Sequence, residues 1–430
     1  MEKTALYRTL WRWHFYAGLF VMPFILILSL SGAVYLFKPQ IERWEERAYQ
    51  NLPTSNAVSA DVQRKAALAA FPAAQFDSYR LPERDGDAAL IHLGLSDGSM
   101  RDVFVSPQGK VLGSLNPTSR IIAIDHDIHG ELLLGKRGSW LVELAASWAL
   151  VMILTGLYLW WPRGRALAGV VWPRLRFGKR VFWRDLHAVT GFWVAGLALI
   201  LLVSGLPWAG VWGSVFKMVR AETGLLKGKQ DWTIGGVHAE HDHMAMIKMG
   251  AMKMPSVRLD AIVQKLQAEH LAFPVLIKPP AENMEWTVKS DAQNRPQRVT
   301  ITYDMMSGQQ RTREGFADKH AIDRVVGYGI AWHEGQLFGW INQLIGLLTA
   351  TALITLMVSG FVMWRRRKPE DTLGAPPLPA VPLRMHGVVA IILILAILLP
   401  MLAGSLILLW VFERLVLPYF PRLSHWLGYS

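Results

Sequence analysis

Cysteine does not occur anywhere in the 430 residues. Its absence excludes disulfides, a thiolate ligand to haem iron, covalent attachment of a c-type haem and cysteine-held iron–sulfur clusters. Nucleotide-binding fingerprints are missing as well. Neither a Rossmann glycine pattern nor a P-loop occurs, and the short basic loops are too small to fold a nucleotide domain. Low-complexity sequence is nearly absent; only Pro376, Pro377, Pro379 and Pro382 mark a stiff link. No catalytic constellation stands out in the longer loops. Any redox chemistry therefore needs a bound cofactor and a separate electron donor, with no side chain required as a general base.

Apolar sequence is what the chain has in quantity. Hydrophobic residues make up 52% of it, and the mean hydropathy is positive. Residues 15–37, 140–161, 188–212, 341–364 and 387–412 are each long enough, at roughly 20 residues, to cross a hydrocarbon core of about 30 Å as a helix. The chain reads as an integral membrane protein with the lipid bilayer as its first partner. Arg163, Arg165, Arg174, Arg176, Lys179, Arg180 and Arg184 precede Asp185 without an intervening acid, and Arg365, Arg366, Arg367 and Lys368 close the fourth run. The positive-inside rule puts these loops and the N-terminus in the cytoplasm, with 38–137 and 213–332 outside; a five-span chain then also ends outside. The net charge of +12 follows from such loops and needs no nucleic acid. Lys3, Arg8 and Arg12 before the first run imitate a signal peptide. The same pattern recurs in mid-chain, where Trp11-Arg12-Trp13-His14 and Gly18 are echoed by Trp183-Arg184-Asp185-Leu186-His187 and Gly191, so the first run is retained.

The chemistry lies in the histidines. His14, His187 and His386 each open an apolar run and are followed eighteen positions later by Gly32, Gly205 and Gly404. His129 and His333 share a second pattern: glycine at plus six (Gly135, Gly339), glycine at plus twenty-seven (Gly156, Gly360) and arginine at minus nine (Arg120, Arg324). The chain thus reads as an internal duplication followed by a fifth helix that resembles the first and third. Eighteen residues of helix rise roughly 27 Å. Histidines from one set of helices therefore share a layer with glycines from the other set. Intramembrane histidine is costly and usually functional, and imidazole is a common axial ligand of haem iron. Two layers predict two haems, with glycine letting a helix backbone approach a flat macrocycle. Ser31, Thr155, Ser204 and Ser359 each precede one of these glycines and also suit close helix packing, with or without a haem.

The outer segments read as small α/β modules. Helices are predicted over 59–71 and about 257–270, and strands at 88–93, 102–105, 110–112, 285–288 and 298–303. Each is near the lower size limit for an independent core. His238, His241 and His243, followed by Met244, Met246, Met249, Met252 and Met254, form a thioether and imidazole cluster that suits Cu(I) or simply an apolar surface. His92, His270, His320 and His425 lack a partner pattern.

The strings Leu10-Trp11-Arg12-Trp13-His14, Thr155-Gly156-Leu157-Tyr158-Leu159-Trp160-Trp161-Pro162-Arg163, Arg184-Asp185-Leu186-His187 and His333-Glu334-Gly335-Gln336-Leu337-Phe338-Gly339 resemble the PepSY-associated transmembrane helix family over nearly the whole chain. Its members include ferric-siderophore reductases of bacterial inner membranes. The resemblance implies a Gram-negative inner membrane, periplasmic PepSY domains, two haem b groups and a ferric siderophore as electron acceptor. The donor would be the quinol pool or a cytoplasmic flavoprotein.

The expected architecture is an all-α membrane bundle of five helices, internally duplicated, with two small α/β PepSY-type periplasmic domains. The expected segments are helices over 1–37, 129–161, 185–212, 333–364 and 386–412, periplasmic domains over 38–128 and 213–332, cytoplasmic loops over 162–184 and 365–385, and a periplasmic tail over 413–430. Symmetry pairs His129 with His333 for the outer haem, with His126 as a local competitor. Duplication favours His14 with His187 for the inner one; His386 is then a quinol- or proton-handling group, or a replacement for either. Two further readings stay open: a haem subunit serving another periplasmic acceptor, and a haem-free anchor whose PepSY modules bind a peptidase or peptide.

Overall fold

The computed structural model describes residues 2–162, 167–225, 257–281, 283–378 and 386–429. His238, His241, His243 and their methionines lie outside these residues, as does the side chain of His386. The chain forms two compact units, one of residues 1–36, 127–223 and 344–430, the other of 37–126 and 224–343. Besides a short helix over Lys38–Glu45, the helices in chain order are α1 (Glu2–Tyr35), α2 (Ala60–Ala70), α3 (Ile121–Glu131), α4 (Lys136–Trp160), α5 (Lys179–Gly205), α6 (Gly210–Glu222), α7 (Leu259–Leu266), α8 (Ala321–His333), α9 (Trp340–Arg367), α10 (His386–Leu398), α11 (Pro400–Val411) and α12 (Pro421–Leu427).

The first unit is helical. Five of its helical stretches are long and apolar enough to cross a membrane: Ala5–Tyr35, Lys136–Trp160, Lys179–Trp208, Trp340–Arg367 and Pro400–Tyr419. Helices satisfy every backbone group internally, which is what hydrocarbon demands. Exposed Leu30, Leu154, Val203, Leu348 and Ile397 form the apolar exterior such a bundle presents to lipid. Val21, Ile25, Ala149 and Met357 make a packed centre with Phe20, Met152 and Leu356. The glycines that the sequence spaces six residues after His129 and His333 have a backbone role. Gly135 and Gly339 stand immediately before α4 and α9 with φ of 57° and 58°, a region that favours glycine. Glu143, buried within α4, is held by the start of another helix: its carboxylate accepts the amides of Val211 (2.8 Å) and Trp212 (3.0 Å) at the N-terminus of α6.

The fifth apolar run departs from expectation. It is broken at Leu399, whose φ of −128° and ψ of 88° leave the helical region directly before Pro400. A residue preceding proline is pushed away from the α conformation, while proline itself suits a first helical turn. The two ends of the run come together. Leu373 N donates to Trp426 O (2.8 Å), and Arg12 Nη1 donates to both Pro376 O (2.5 Å) and Gly428 O (3.2 Å). Tyr16 donates to Leu427 O. The chain therefore enters and leaves this run at one end of the bundle, the end where α1 begins. Residues 427 and 428 of the tail thus lie beside Arg12 and Tyr16 of α1, where a five-span count would put them at the opposite face.

The second unit is built on one antiparallel sheet in the order β4-β3-β2-β1-β5-β6-β7-β8. The strands are β1 (Gln75–Arg80), β2 (Ala89–Gly94), β3 (Met100–Val105), β4 (Val111–Leu115), β5 (Val275–Lys278), β6 (Glu285–Ser290), β7 (Val299–Asp304) and β8 (Gln310–Gly315). The two expected domains are thus joined. Tyr79 pairs with Ile277 and Arg80 with Leu276 across the β1–β5 seam, and Ala67, Ile91, Val103, Leu259, Ile262, Ile277 and Ile301 share one core. Asp61 N donates to Asp260 Oδ1 (2.8 Å), tying the starts of α2 and α7. Each half alone would expose β1 or β5 as an unpaired edge over a core too small to stand by itself.

Candidate functional site

Three imidazoles of the helical unit sit in the same local setting, each on a helix surface made of a hydroxyl residue followed by glycine. His14 on α1 lies against Gly156 of α4; a methyl group at that glycine would come 3.1 Å from Cε1 of the ring. His187 on α5 lies against Gly360 of α9, with a corresponding distance of 3.4 Å, and His129 on α3 lies against Gly32 of α1 at 3.2 Å. The glycines thus make room for the imidazole rings.

The residue before each glycine holds the ring nitrogen. Nδ1 of His14 is 3.0 Å from Thr155 Oγ1, and Nδ1 of His129 is 2.9 Å from Ser31 Oγ. Nδ1 of His187 is 3.1 Å from Ser359 Oγ and also 3.1 Å from the Leu356 carbonyl. Proton counting fixes the tautomer. The Thr155 hydroxyl donates to Val151 O (2.8 Å) and that of Ser31 to Ile27 O (2.9 Å). A hydroxyl has one proton, so each must accept from the imidazole. A carbonyl can only accept, so His187 also donates through Nδ1. All three rings then carry hydrogen on Nδ1 and a lone pair on Nε2, the form in which neutral imidazole ligates a metal.

His14 and His187 belong together. Their ring centres are 6.5 Å apart and their planes cross at 86°. Both keep some accessible surface although each lies in a spanning helix. A metal between two imidazoles bonded at about 2 Å each would hold the ring centres roughly 6–6.5 Å apart. The donor set, the tautomers and the separation fit a haem iron that both imidazoles would hold. His129, opposite Gly32, marks a second tier near the other end of α1.

The starts of both histidine helices are anchored two residues before the ring. Asp185, fully buried, accepts Arg174 Nε (2.7 Å) and Arg184 Nη2 (2.7 Å), which fixes the basic loop to α5. Arg12, buried, fixes the C-terminal segment to α1.

The remaining sequence-derived residues fall as follows. It is His129, not His126 one turn earlier, that lies against Gly32. His333 closes α8. Gly205 ends α5, and the Ser204 hydroxyl donates to Leu201 O within that helix (3.1 Å). Gly404 lies beyond the break at Leu399, and the space where its side chain would be has no neighbour within 4 Å. His386 opens α10. Among the described residues no group of three or more His, Asp or Glu is arranged to hold a metal ion. Of the histidines without a sequence pattern, His92 pairs with Asp102 across neighbouring strands (2.7 Å), and His320 caps α8 by accepting from Ile322 N (3.2 Å). The clamp hydroxyls were visible in the sequence only as helix-packing residues. Their signal was the repeated hydroxyl–glycine pair at a fixed distance from a histidine on another helix.

Residues 11–367 match the family described as PepSY-associated TM region. The chain belongs to this family. No curated protein matches it. Family membership covers α1 through α9, so it includes His14, His129, His187 and His333 and ends before the broken fifth run.

Proposed function

We propose that this PepSY-associated protein is an oxidoreductase of the bacterial inner membrane that carries electrons outward to a ferric siderophore. In this reading His14 and His187 would hold the iron of an inner haem b. His129 serves an outer one, with His333 assigned to it by the sequence repeat. The observation that carries the reading is the pair of imidazoles 6.5 Å apart, each donating through Nδ1. Helix packing alone gives no reason to hold two histidines in that tautomer and at that spacing.

Haem would supply a one-electron ferric/ferrous couple in each tier. The chain does the rest. Its helices exclude water between the tiers with Val21, Ile25, Ala149 and Met357, and its hydroxyls orient the ligands. One quinol, oxidised to quinone with release of two protons, would reduce two ferric chelates; a reduced cytoplasmic flavoprotein is the other donor class. Ferrous iron then leaves a chelator whose oxygen ligands favour the harder ferric ion. The basic loops favour a cytoplasmic N-terminus, and with it a cytoplasmic start of α1. His386 is left to proton or quinol handling.

The test is the absorption spectrum and iron content of protein purified from membranes, with ferric-siderophore reduction by the reduced protein. Two haems per chain and siderophore-dependent reoxidation support the reading. Haem-bearing protein that no ferric chelate reoxidises points to a different periplasmic acceptor. Haem-free protein that retains a periplasmic peptide or peptidase overturns the redox role.

A further inference from the structure

We infer that α3 and α8 are interfacial helices, each laying an outward apolar stripe in the lipid leaflet at the end of the bundle where α4 and α9 begin. The inference goes beyond the haem reading and does not require it. Ile121, Ile124 and Ile128 recur on α3 at spacings of three and four, which puts them on one face of a helix. Val325, Tyr328 and Trp332 repeat that face on α8, at the offset that relates His129 to His333. Ile121, Ile124, Val325 and Tyr328 are exposed, and Ile128 and Trp332 are partly so. The stripe continues past each helix. Leu134 and Phe338 hold equivalent positions in the turns that follow and are 59% and 61% exposed, and the rings of Trp332 and Phe338 are 6.1 Å apart.

Exposure of single apolar side chains is ordinary, but a contiguous patch is not, least of all one built twice from different residues. Water is the wrong neighbour for it. Asp125 of α3 and Asp323 of α8 are buried while isoleucine, valine and tyrosine face outward, the reverse of a helix on a water-facing domain surface. Neither helix lacks a core face, since Ile122 and Ile330 are buried as well. Lipid is the partner because the stripe leads directly into surface made for lipid. Leu134 is followed at once by Gly135 and α4, and Phe338 by Gly339 and α9, both helices long and apolar enough to span. Tyrosine and tryptophan are the side chains that collect at this boundary. Exposed Lys136 and Arg324 stand next to the stripe in the chain, where an apolar stem can lie in the leaflet with its charge among the headgroups. His129 and His333 each follow the last stripe residue of their helix directly, so anchoring the helix in the leaflet holds the histidine at a fixed depth.

The chain has no cysteine, so a single introduced cysteine carries a nitroxide label without background. Full-length protein in phospholipid nanodiscs is labelled at Ile121→Cys, Ile124→Cys, Val325→Cys or Tyr328→Cys, and collision with oxygen and with a water-soluble nickel chelate is read from power saturation of the spectrum. Leu348→Cys, exposed on α9, is the lipid reference, and Thr312→Cys, exposed on β8, is the water reference. The stripe labels should favour oxygen over nickel, as at Leu348, and report a depth of about 5–10 Å below the phosphates. Where a cysteine prevents folding, the other position on the same helix decides. Preference for nickel, as at Thr312, overturns the inference. So does protection from both reagents, which would mean that protein, a second copy included, covers the stripe. Lipid contact at one helix with water contact at the other overturns it too, because the case rests on the repeat. None of these readings depends on bound haem.

Discussion

The imidazole of His14 stands 6.5 Å from that of His187, centre to centre, with the two planes nearly perpendicular at 86°. One ring is carried by α1 and the other by α5, and each is fixed from behind by a different helix, α4 for His14 and α9 for His187. Four spanning helices thus converge on one point. A ligand pair for a single metal requires both rings to be held in place by their surroundings, as these are.

His14→Ala and His187→Ala are each expected to abolish the inner haem while leaving the outer one. His386→Ala should retain both. Haem content per chain, measured after alkaline pyridine extraction, decides this. Loss of haem in His386→Ala with retention in His187→Ala would reverse the assignment.

Alanine at the three clamp glycines should do graded damage. The added methyl meets His14 at 3.1 Å for Gly156, His129 at 3.2 Å for Gly32 and His187 at 3.4 Å for Gly360. The last distance is an ordinary contact, whereas the first two force the ring to shift, with an overpacking cost of about 1–3 kcal/mol. Gly360→Ala should behave nearly as wild type in haem retention and thermal stability, and Gly156→Ala should be the worst of the three. Equal behaviour across the series would mean that the glycines do not seat the imidazoles.

A reporter fused after Ser430 should lie on the same side of the membrane as one fused before Met1. The reason is the contact of residues 373–376 with 426–428 and of both with Arg12. A fluorescent protein that requires the cytoplasm, tested at each end in turn, reads this out. Fluorescence at the N-terminus alone would mean that the fifth run crosses completely.

Asp125 gives α3 a pH dependence. Burial raises its carboxyl to about 6, and Oδ2 has no hydrogen-bond partner among the described residues. In the unfolded chain the group titrates near 3.9, so the folded state binds the proton more tightly. Stability from this group is complete below about pH 4 and is lost as pH rises through about 6. Asp125→Asn should therefore melt higher than wild type at pH 7.5, and the difference should shrink towards zero by pH 4. A constant difference across that range would show that Asp125 does not titrate as its burial implies.

Ile277→Ala should destabilise the whole eight-stranded sheet by about 2–5 kcal/mol, the usual range for a large-to-small change in a packed core. Ile277 is fully buried on β5 and pairs with Tyr79 of β1. Hydrogen exchange should speed up in β2 and β3 as well as in β6 and β7. Protection retained in β2 and β3 would show that the two halves fold separately.

Sequence alone carried a good deal of this. The five expected apolar spans, the histidine and glycine spacings and most strands are properties of local composition, because hydropathy and periodicity act over a few turns of chain. The strands left unread had weak local signals. A register shift between Phe76 and Ser78 interrupts β1, β5 has only four residues, and β8 is polar and exposed almost throughout.

Tertiary structure decided the rest. Pairing β1 with β5 merged two expected domains into one sheet, because neither half can bury its apolar face alone. Pro400 broke the last run, and contacts between segments far apart in the chain placed the C-terminus beside Arg12. The partner of each imidazole was likewise settled between helices: which hydroxyl accepts its proton, and that a glycine receives the ring. Spacing along one helix fixes height in the membrane, but rotation about the helix axis is set only by what the neighbouring helices offer.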